Sequence, residues 1–492
     1  MSHEITNYVS NTDRDIYTVG NLPEEVIAVV FAYVSRSPKS FRENITKVIE
    51  EEELGKERAA KFHEKWVLHY GHASVAEHAT VHVGIERVSR LFSSILELTN
   101  EYLSFTEYSQ RYQRPQSGDF YVPPVLDEAP KLKSQYEELN ASLYETYADL
   151  NRKLFDYLKE SVPVPDGVKE GAHFRALEKL AFEDARYALS LATFTNLGVT
   201  ANARAFEDAL SKLLSSKYQE VKDRAEEIKK EVRFSVPTLI KYANPNPYDI
   251  ETRDELESLE YAVPHHPDSP STDTDRGGGW ARLLDFTGKG SSDPEARALE
   301  KLVRSVIFSH SVWSYEDAVE IAAKKGPEFL LEVFKKSVQR MGKFDNPINA
   351  LKLVNYEAEF CISEACWHQL LRHRKVNWMP QEPTVRAGYE IPPRITEAGL
   401  GQQLLGAINM SGEFYEKLID NGLEEAASYV VTNAHLRRVV GSFDLWELYH
   451  LINLRMSPGA QWDIQNIVGK LAVEVNRYHP ALVKPALARL AG

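Results

Sequence analysis

The residues best equipped for chemistry fall into three groups. "LLRHRKVNWMPQEPTVR", residues 370–386, sets Arg372, His373 and Arg374 side by side in an apolar neighbourhood. Guanidiniums bind phosphate and carboxylate oxygens through paired N–H groups, so two of them flanking an imidazole suit an anionic ligand. Taken alone, the triplet also reads as a solvated turn after the amphipathic stretch EACWHQLL. "YGHASVAEH", residues 70–78, places His72, Ser74, Glu77 and His78 just before a strand-like run. A carboxylate and two imidazoles are the groups used for metal ligation or acid–base work. The same spacing also reads as a helix start, with Ser74 as N-cap and Glu77 closing a capping box. Glu107, Ser109 and Arg111 alternate; in an extended segment all three point to one side. A carboxylate, a hydroxyl and a guanidinium together suit a polar ring plus a phosphate, although an exposed polar edge has the same composition.

The elements that must position these groups are mostly helical. Residues 129–160 carry Leu132, Tyr136, Leu139, Leu143, Tyr147, Leu150 and Leu154 at helical spacing, and 205–232 and 460–478 repeat the pattern. "ATVHVGIERV" and "LKLVNYEAEFCI" alternate apolar and polar residues as half-buried strands do. The expected class is α+β, with helices packed on a small, mostly antiparallel sheet.

Composition narrows the function. With 43% hydrophobic and 26% charged residues, the 492-residue chain reads as globular. It has neither an apolar run long enough to span a bilayer nor an N-terminal leader pattern, so a cytoplasmic protein without membrane contact is expected. The formal net charge of −14 argues against nucleic acid as a partner, yet leaves room for a small anion at a local arginine cluster. Two cysteines, Cys361 and Cys366, are too few for a disulfide framework, and their spacing lacks the paired ligands of a zinc site. No metal is expected.

Residues 243–293 are rich in Pro, Gly, Ser and Asp and read as a linker. The parts on either side, 1–242 and 294–492, look like copies of one another. "EEVIAVVFAYVSRSPKSFRENI" resembles "EKLVRSVIFSHSVWSYEDAVEI"; "FEDARYALS" resembles "LEEAASYVV"; "KYQEVKDRAEEI" resembles "AQWDIQNIVGKL", pairing Gln219 with Gln461. Matches in the same order imply two tandem copies of one domain.

G-H-x-S-x-x-E-H, then S-R, then S-Q-R-Y resembles the flavin-dependent thymidylate synthase family, as does an R-H-R triplet, here Arg372 to Arg374. The resemblance covers almost the whole chain outside the linker. It implies flavin adenine dinucleotide (FAD) as cofactor, deoxyuridine monophosphate (dUMP) as substrate, and NADPH and methylenetetrahydrofolate as co-substrates. It carries cofactor binding to His72, Ser74, Glu77, Asn202, Arg204, Arg372, His373 and Arg374. Substrate binding falls to Gln369, Glu107, Ser109, Arg111, Arg186 and Arg455, with Arg372, Arg455 and Ser109 at the reacting centre. Ser109 is given a binding role, since nothing in the sequence puts a general base beside it.

Each copy lacks part of this set, in complementary places. The first has Thr99, Asn100 and Glu101 where the triplet belongs, and Leu213 where the second has Arg455. The second has FDNPINAL in place of G-H-x-S-x-x-E-H. It also has Thr384, Ser428, Asp444 and Trp446 opposite Arg111, Arg186, Asn202 and Arg204. A site built from one half of each copy would lose only the unused half, so a composite site is expected, with two chains forming a homodimer equivalent to a tetramer. Independent decay of both copies would leave a catalytically inactive nucleotide- or flavin-binding paralogue.

Overall fold

The computed structural model describes residues 5–34, 37–49, 73–111, 113, 115, 119–259, 278–342 and 345–490. They fall into two compact units. The smaller comprises Met1–Ser109, Asp119–Glu128 and Ala192–Pro264; the larger comprises Gln110–Gly118, Ala129–Leu191 and His265–Gly492. This division differs from the expected boundaries, because residues 129–191 pack with the C-terminal part. The reason is apolar. Leu150, Leu154 and Leu158 of the helix Pro130–Ser161 and Leu177 and Ala181 of the helix Glu170–Ala185 share a core with Leu404 and Ile408 of the helix Gly401–Asp420.

In the smaller unit three antiparallel strands, β1 (Thr80–Ser89), β2 (Ser104–Glu107) and β3 (Phe194–Asn202), pair in the order β1-β3-β2. Ser89 ends β1 and caps the helix Arg90–Leu98 by accepting the Phe92 N–H at 2.9 Å. Asn202 ends β3 and caps the helix Ala203–Leu214 in the same way, accepting the Ala205 N–H at 2.9 Å. Side-chain oxygens at these positions satisfy helix N–H groups that have no intrahelical partner.

In the larger unit β4 (Trp280–Phe286), β5 (Asn355–Ser363), β6 (Asn377–Pro380) and β7 (Leu436–Asp444) form an antiparallel sheet ordered β4-β5-β7-β6. Ser363 caps the helix Glu364–Leu370, and Asp444 caps the helix Leu445–Arg455. Trp367, Phe360, Ile362, Leu448 and Ile464 lie in its core, fully buried. The stretch expected as a linker, 243–293, contains the helix Pro247–Glu257 and all of β4. Composition hid β4, which is short and flanked by turn-forming residues and becomes a strand by pairing with β5 from Trp280↔Cys361 to Phe286↔Tyr356.

A buried lock recurs in both sheets. Glu220 accepts from the Ser89 N–H at 2.8 Å and from its hydroxyl at 2.5 Å. Asp463 accepts from the Ser363 hydroxyl at 2.5 Å. Both acids sit at the second residue of their helices, Gln219–Val232 and Trp462–Asn476. The correspondence therefore runs from Glu220 to Asp463, a shift of one residue from the expected pairing of Gln219 with Gln461. One more residue separates Asp444 from Asp463 than separates Asn202 from Glu220.

Two local expectations also change. β2 stops at Glu107 and the chain turns at Gln110 and Arg111, so the alternation of Glu107, Ser109 and Arg111 does not extend along one strand. Ser74 and Glu77 lie in a single 3-10 segment, Ala73–His78, and Glu77 pairs with Arg204 Nη1 at 2.6 Å instead of closing a capping box. His72 lies outside the described residues.

Candidate functional site

The larger unit brings Arg186, Tyr187 and Gln369 from distant parts of the chain onto one glutamine. Gln461 is fully buried and precedes the helix Trp462–Asn476. Its Oε1 accepts from Arg186 Nη2 at 3.0 Å and from Gln369 Nε2, and its Nε2 donates to the Tyr187 hydroxyl at 3.0 Å. Tyr187 in turn donates to Asp463 Oδ2 at 2.7 Å, the carboxylate that holds Ser363. Gln461 thus ties Arg186 at the end of the helix Glu170–Ala185 to Gln369 on the helix Glu364–Leu370. Burial makes such a network costly to interrupt, because each freed group would be left without water.

Behind Arg186 stands an acidic pair. Glu183 accepts from Arg111 Nε at 2.6 Å and from Arg394 at 3.3 Å. Asp184 takes both arms of Arg394, at 2.7 and 2.9 Å, and the Trp462 indole N–H at 2.9 Å. Burial nonetheless pushes the Asp184 carboxyl up to about 6.

A second relay fixes Arg455. Its Nε donates to His373 Nε2 at 2.8 Å and its Nη2 to the Gln369 carbonyl at 2.8 Å. Arginine only donates, so His373 Nε2 accepts and the imidazole proton sits on Nδ1, facing Glu447 Oε1 at 2.8 Å. Burial and the Arg455 charge hold His373 well below its ordinary pKa. Burial, with Asp444 beside it, pushes the Glu447 carboxyl up to about 8 against the pull of Lys375 and Arg455. Among the described residues Arg455 therefore donates to neutral acceptors. Burial first, then the positive charges of Arg372 and Arg111, lower its pKa to about 10. A half-buried cation with cationic neighbours and neutral acceptors is costly, and an anion would offset that cost.

His373, Glu447 and His450 bring three ligand-type atoms within 4.8 Å of one another. Arg455 argues against a metal there. An imidazole ligating through Nδ1 would carry its proton on Nε2, directly against the Arg455 N–H.

The expected site residues divide accordingly. Arg111, Arg186, Gln369, Arg372, His373, Arg374 and Arg455 belong to the larger unit. Arg372 is half-buried, His373 buried and Arg374 exposed. The turn that carries them is pinned by Trp378, whose indole N–H donates to the His373 carbonyl at 3.2 Å. Ser74, Glu77, Asn202, Arg204, Glu107 and Ser109 belong to the smaller unit. There Glu107 is buried against Arg90 and accepts from the Thr195 hydroxyl at 3.2 Å. Residues that sequence reasoning did not place in the site are Glu183, Asp184, Tyr187, Arg394, Glu447, Gln461 and Asp463. One signal was available: Glu447, His450 and Arg455 recur at helical spacing along WELYHLINLR and share a face.

The fold and these arginines define the class. The chain belongs to the flavin-dependent thymidylate synthase family: a family model described as thymidylate synthase complementing protein matches residues 18–238 and 305–481. Among individual relatives, a UPF0159 protein of Chlamydia muridarum is 25% identical over 504 residues, covering 97% of this chain and 92% of its own. The flavin-dependent thymidylate synthase of Clostridium tetani is 28% identical over 225 residues, 46% of this chain and 83% of its own. Among solved structures, a UMP/dUMP methylase from Streptomyces cacaoi bound with 5-Br dUMP aligns with a TM-score of 0.35 and 14% identity, covering 43% of this chain and 96% of its own. No helix among the described residues is long and apolar enough to cross a membrane.

Proposed function

We propose that the protein is a thymidylate synthase-like enzyme that converts dUMP to dTMP with FAD, NADPH and methylenetetrahydrofolate, at a site to which both tandem copies contribute. The observation that carries this reading is the arginine cluster, in which Arg186 is buried and Arg111, Arg372 and Arg455 are half-buried. Arg111 and Arg186 come from one copy and Gln369, Arg372 and Arg455 from the other, within a single compact unit. The recurring strand order and serine–carboxylate locks support the tandem reading.

In this reading the guanidiniums of Arg186, Arg111 and Arg372 take the dianionic phosphate, and Gln369 orients the uracil. Arg455, held by His373 and the Gln369 carbonyl, stabilises negative charge developing on the ring. The residues available for FAD fit it in part. Half-buried Arg372 and exposed Arg374 suit a diphosphate. His373, engaged on both nitrogens, positions Arg455 and offers the cofactor no free edge. When bound, FAD supplies the hydride that reduces the transferred one-carbon unit to a methyl. The protein acts as a homodimer.

The test is rescue of a thymidine-requiring strain, together with a flavin absorption band in the purified protein. Rescue by the wild type and its loss in Arg186→Ala and in Arg455→Ala support the reading. A colourless protein that binds dUMP but neither takes up FAD nor rescues growth would make it a binding paralogue.

A further inference from the structure

The helix Leu445–Arg455 has a second functional face. Beside the relay, a cavity of about 470 Å³ opens between this helix, residues 345–347 and the C-terminal segment at Arg489 and Leu490. That size falls within the roughly 300–1,000 Å³ typical of small-molecule sites. Trp446, Tyr449 and His450 give it an aromatic wall, and Leu454, 44% exposed, lines its mouth. Its polar groups are the amides of Asn346 and Asn453, the Ser457 hydroxyl, the His450 imidazole, the Asp345 carboxylate and the Arg489 guanidinium.

Their chemistry selects a ligand. A side-chain amide presents a donor beside an acceptor, the complement of a nucleobase edge, and aromatic walls stack on a base. Among the described residues no hydrogen bond engages the side chains of Asn453 or His450. Asp345 keeps one oxygen on the Gly342 N–H at 2.8 Å and presents a carboxylate suited to sugar hydroxyls. Arg489, the one arginine among the described lining residues, donates through Nη2 to the carbonyls of Gly342 and Asp345, at 2.5 and 3.2 Å. A phosphate would therefore face a carboxylate, and among the described lining residues the one guanidinium charge at most balances that carboxylate.

We propose that this cavity binds a neutral nucleoside and discriminates against the corresponding nucleotide. The site is separate from the arginine cluster, and the proposal does not rest on the reading given above. The two sites share a partition: the His450 ring packs edge-on to His373 at 5.2 Å, and His373 holds Arg455.

The test is calorimetric titration of the full chain with adenosine, thymidine and AMP, repeated on Asn453→Leu and His450→Ala. Saturable binding of at least one nucleoside below about 1 mM is expected, weakened roughly tenfold or more in both variants. The component of AMP binding that Asn453→Leu removes should be at least about tenfold weaker than adenosine, because the phosphate meets the Asp345 carboxylate and the Arg489 charge at most balances it. A dUMP titration of the same variants separates the two proposals, since binding at the arginine cluster should survive Asn453→Leu. Three results overturn this one: no nucleoside binding in a folded wild type, binding unchanged in both variants, or AMP held as tightly as adenosine in that component.

Discussion

Replacing Glu447 by Gln isolates the relay behind Arg455. The folded carboxyl titrates near 8 instead of its ordinary 4.5, because it is buried beside Asp444. The sign follows from linkage. A group whose folded pKa is raised contributes fully below its unfolded pKa, and that contribution is lost as pH climbs through the folded value. Glutamine resembles the protonated acid, keeps an acceptor for His373 Nδ1–H and cannot ionise. Each pH unit between the two values costs the wild type about 1.4 kcal/mol relative to the variant. Between about pH 5 and pH 8 the variant should gain about 4 kcal/mol on the wild type. Urea unfolding read by tryptophan fluorescence suits this measurement. Of the seven tryptophans, Trp280, Trp313, Trp367, Trp378, Trp446 and Trp462 lie in the larger unit. Curves of wild type and variant that stay parallel across that range, within about 1 kcal/mol, would refute the protonated Glu447.

Three further outcomes follow from the geometry. Arg394→Met strips both arms from Asp184 and leaves a fully buried carboxylate beside Glu183, so thermal unfolding should show a loss of about 3–5 kcal/mol; adding Asp184→Asn should recover part of it. Gly441→Ala places a Cβ 2.6 Å from the Trp378 ring, the side chain that pins the His373 turn. That variant should lose about 1–3 kcal/mol and weaken dUMP binding, whereas the same change at Gly406, open on all sides, should do neither. Ser363→Ala removes a donor from Asp463 and the cap of the helix Glu364–Leu370, for about 1–3 kcal/mol in denaturant unfolding.

Much of this architecture was legible because local pattern and tertiary role agree. The apolar spacing of 129–160 became a helix within a residue at each end, and the alternation of 351–362 became the strand Asn355–Ser363, its first residues going to the 3-10 segment Asn349–Leu353. The Arg372–Arg374 triplet drew notice because arginines are rare in apolar surroundings, and Arg186 through the family resemblance. What escaped were groups whose meaning exists only in three dimensions. Gln461 reads as one more polar residue at a helix start until Arg186, Gln369 and Tyr187 converge on it from up to 275 positions away. β4 carries too short a pattern to outweigh its turn-rich flanks, and the pairing partner that makes it a strand lies about 75 residues downstream. Cofactor binding at His373 was implied by the family resemblance; in the structure the imidazole is buried with Glu447 on one nitrogen and Arg455 on the other.

The central claim is that residues far apart in the chain build one nucleotide site. Calorimetric titration with dUMP tests it most directly, on the wild type, Arg186→Ala and Arg455→Ala. The account predicts one dUMP per chain and an affinity loss of about 1.5–3 kcal/mol in each variant, the worth of a charged hydrogen bond. Two dUMP per chain, or a loss confined to one of the two variants, would contradict it.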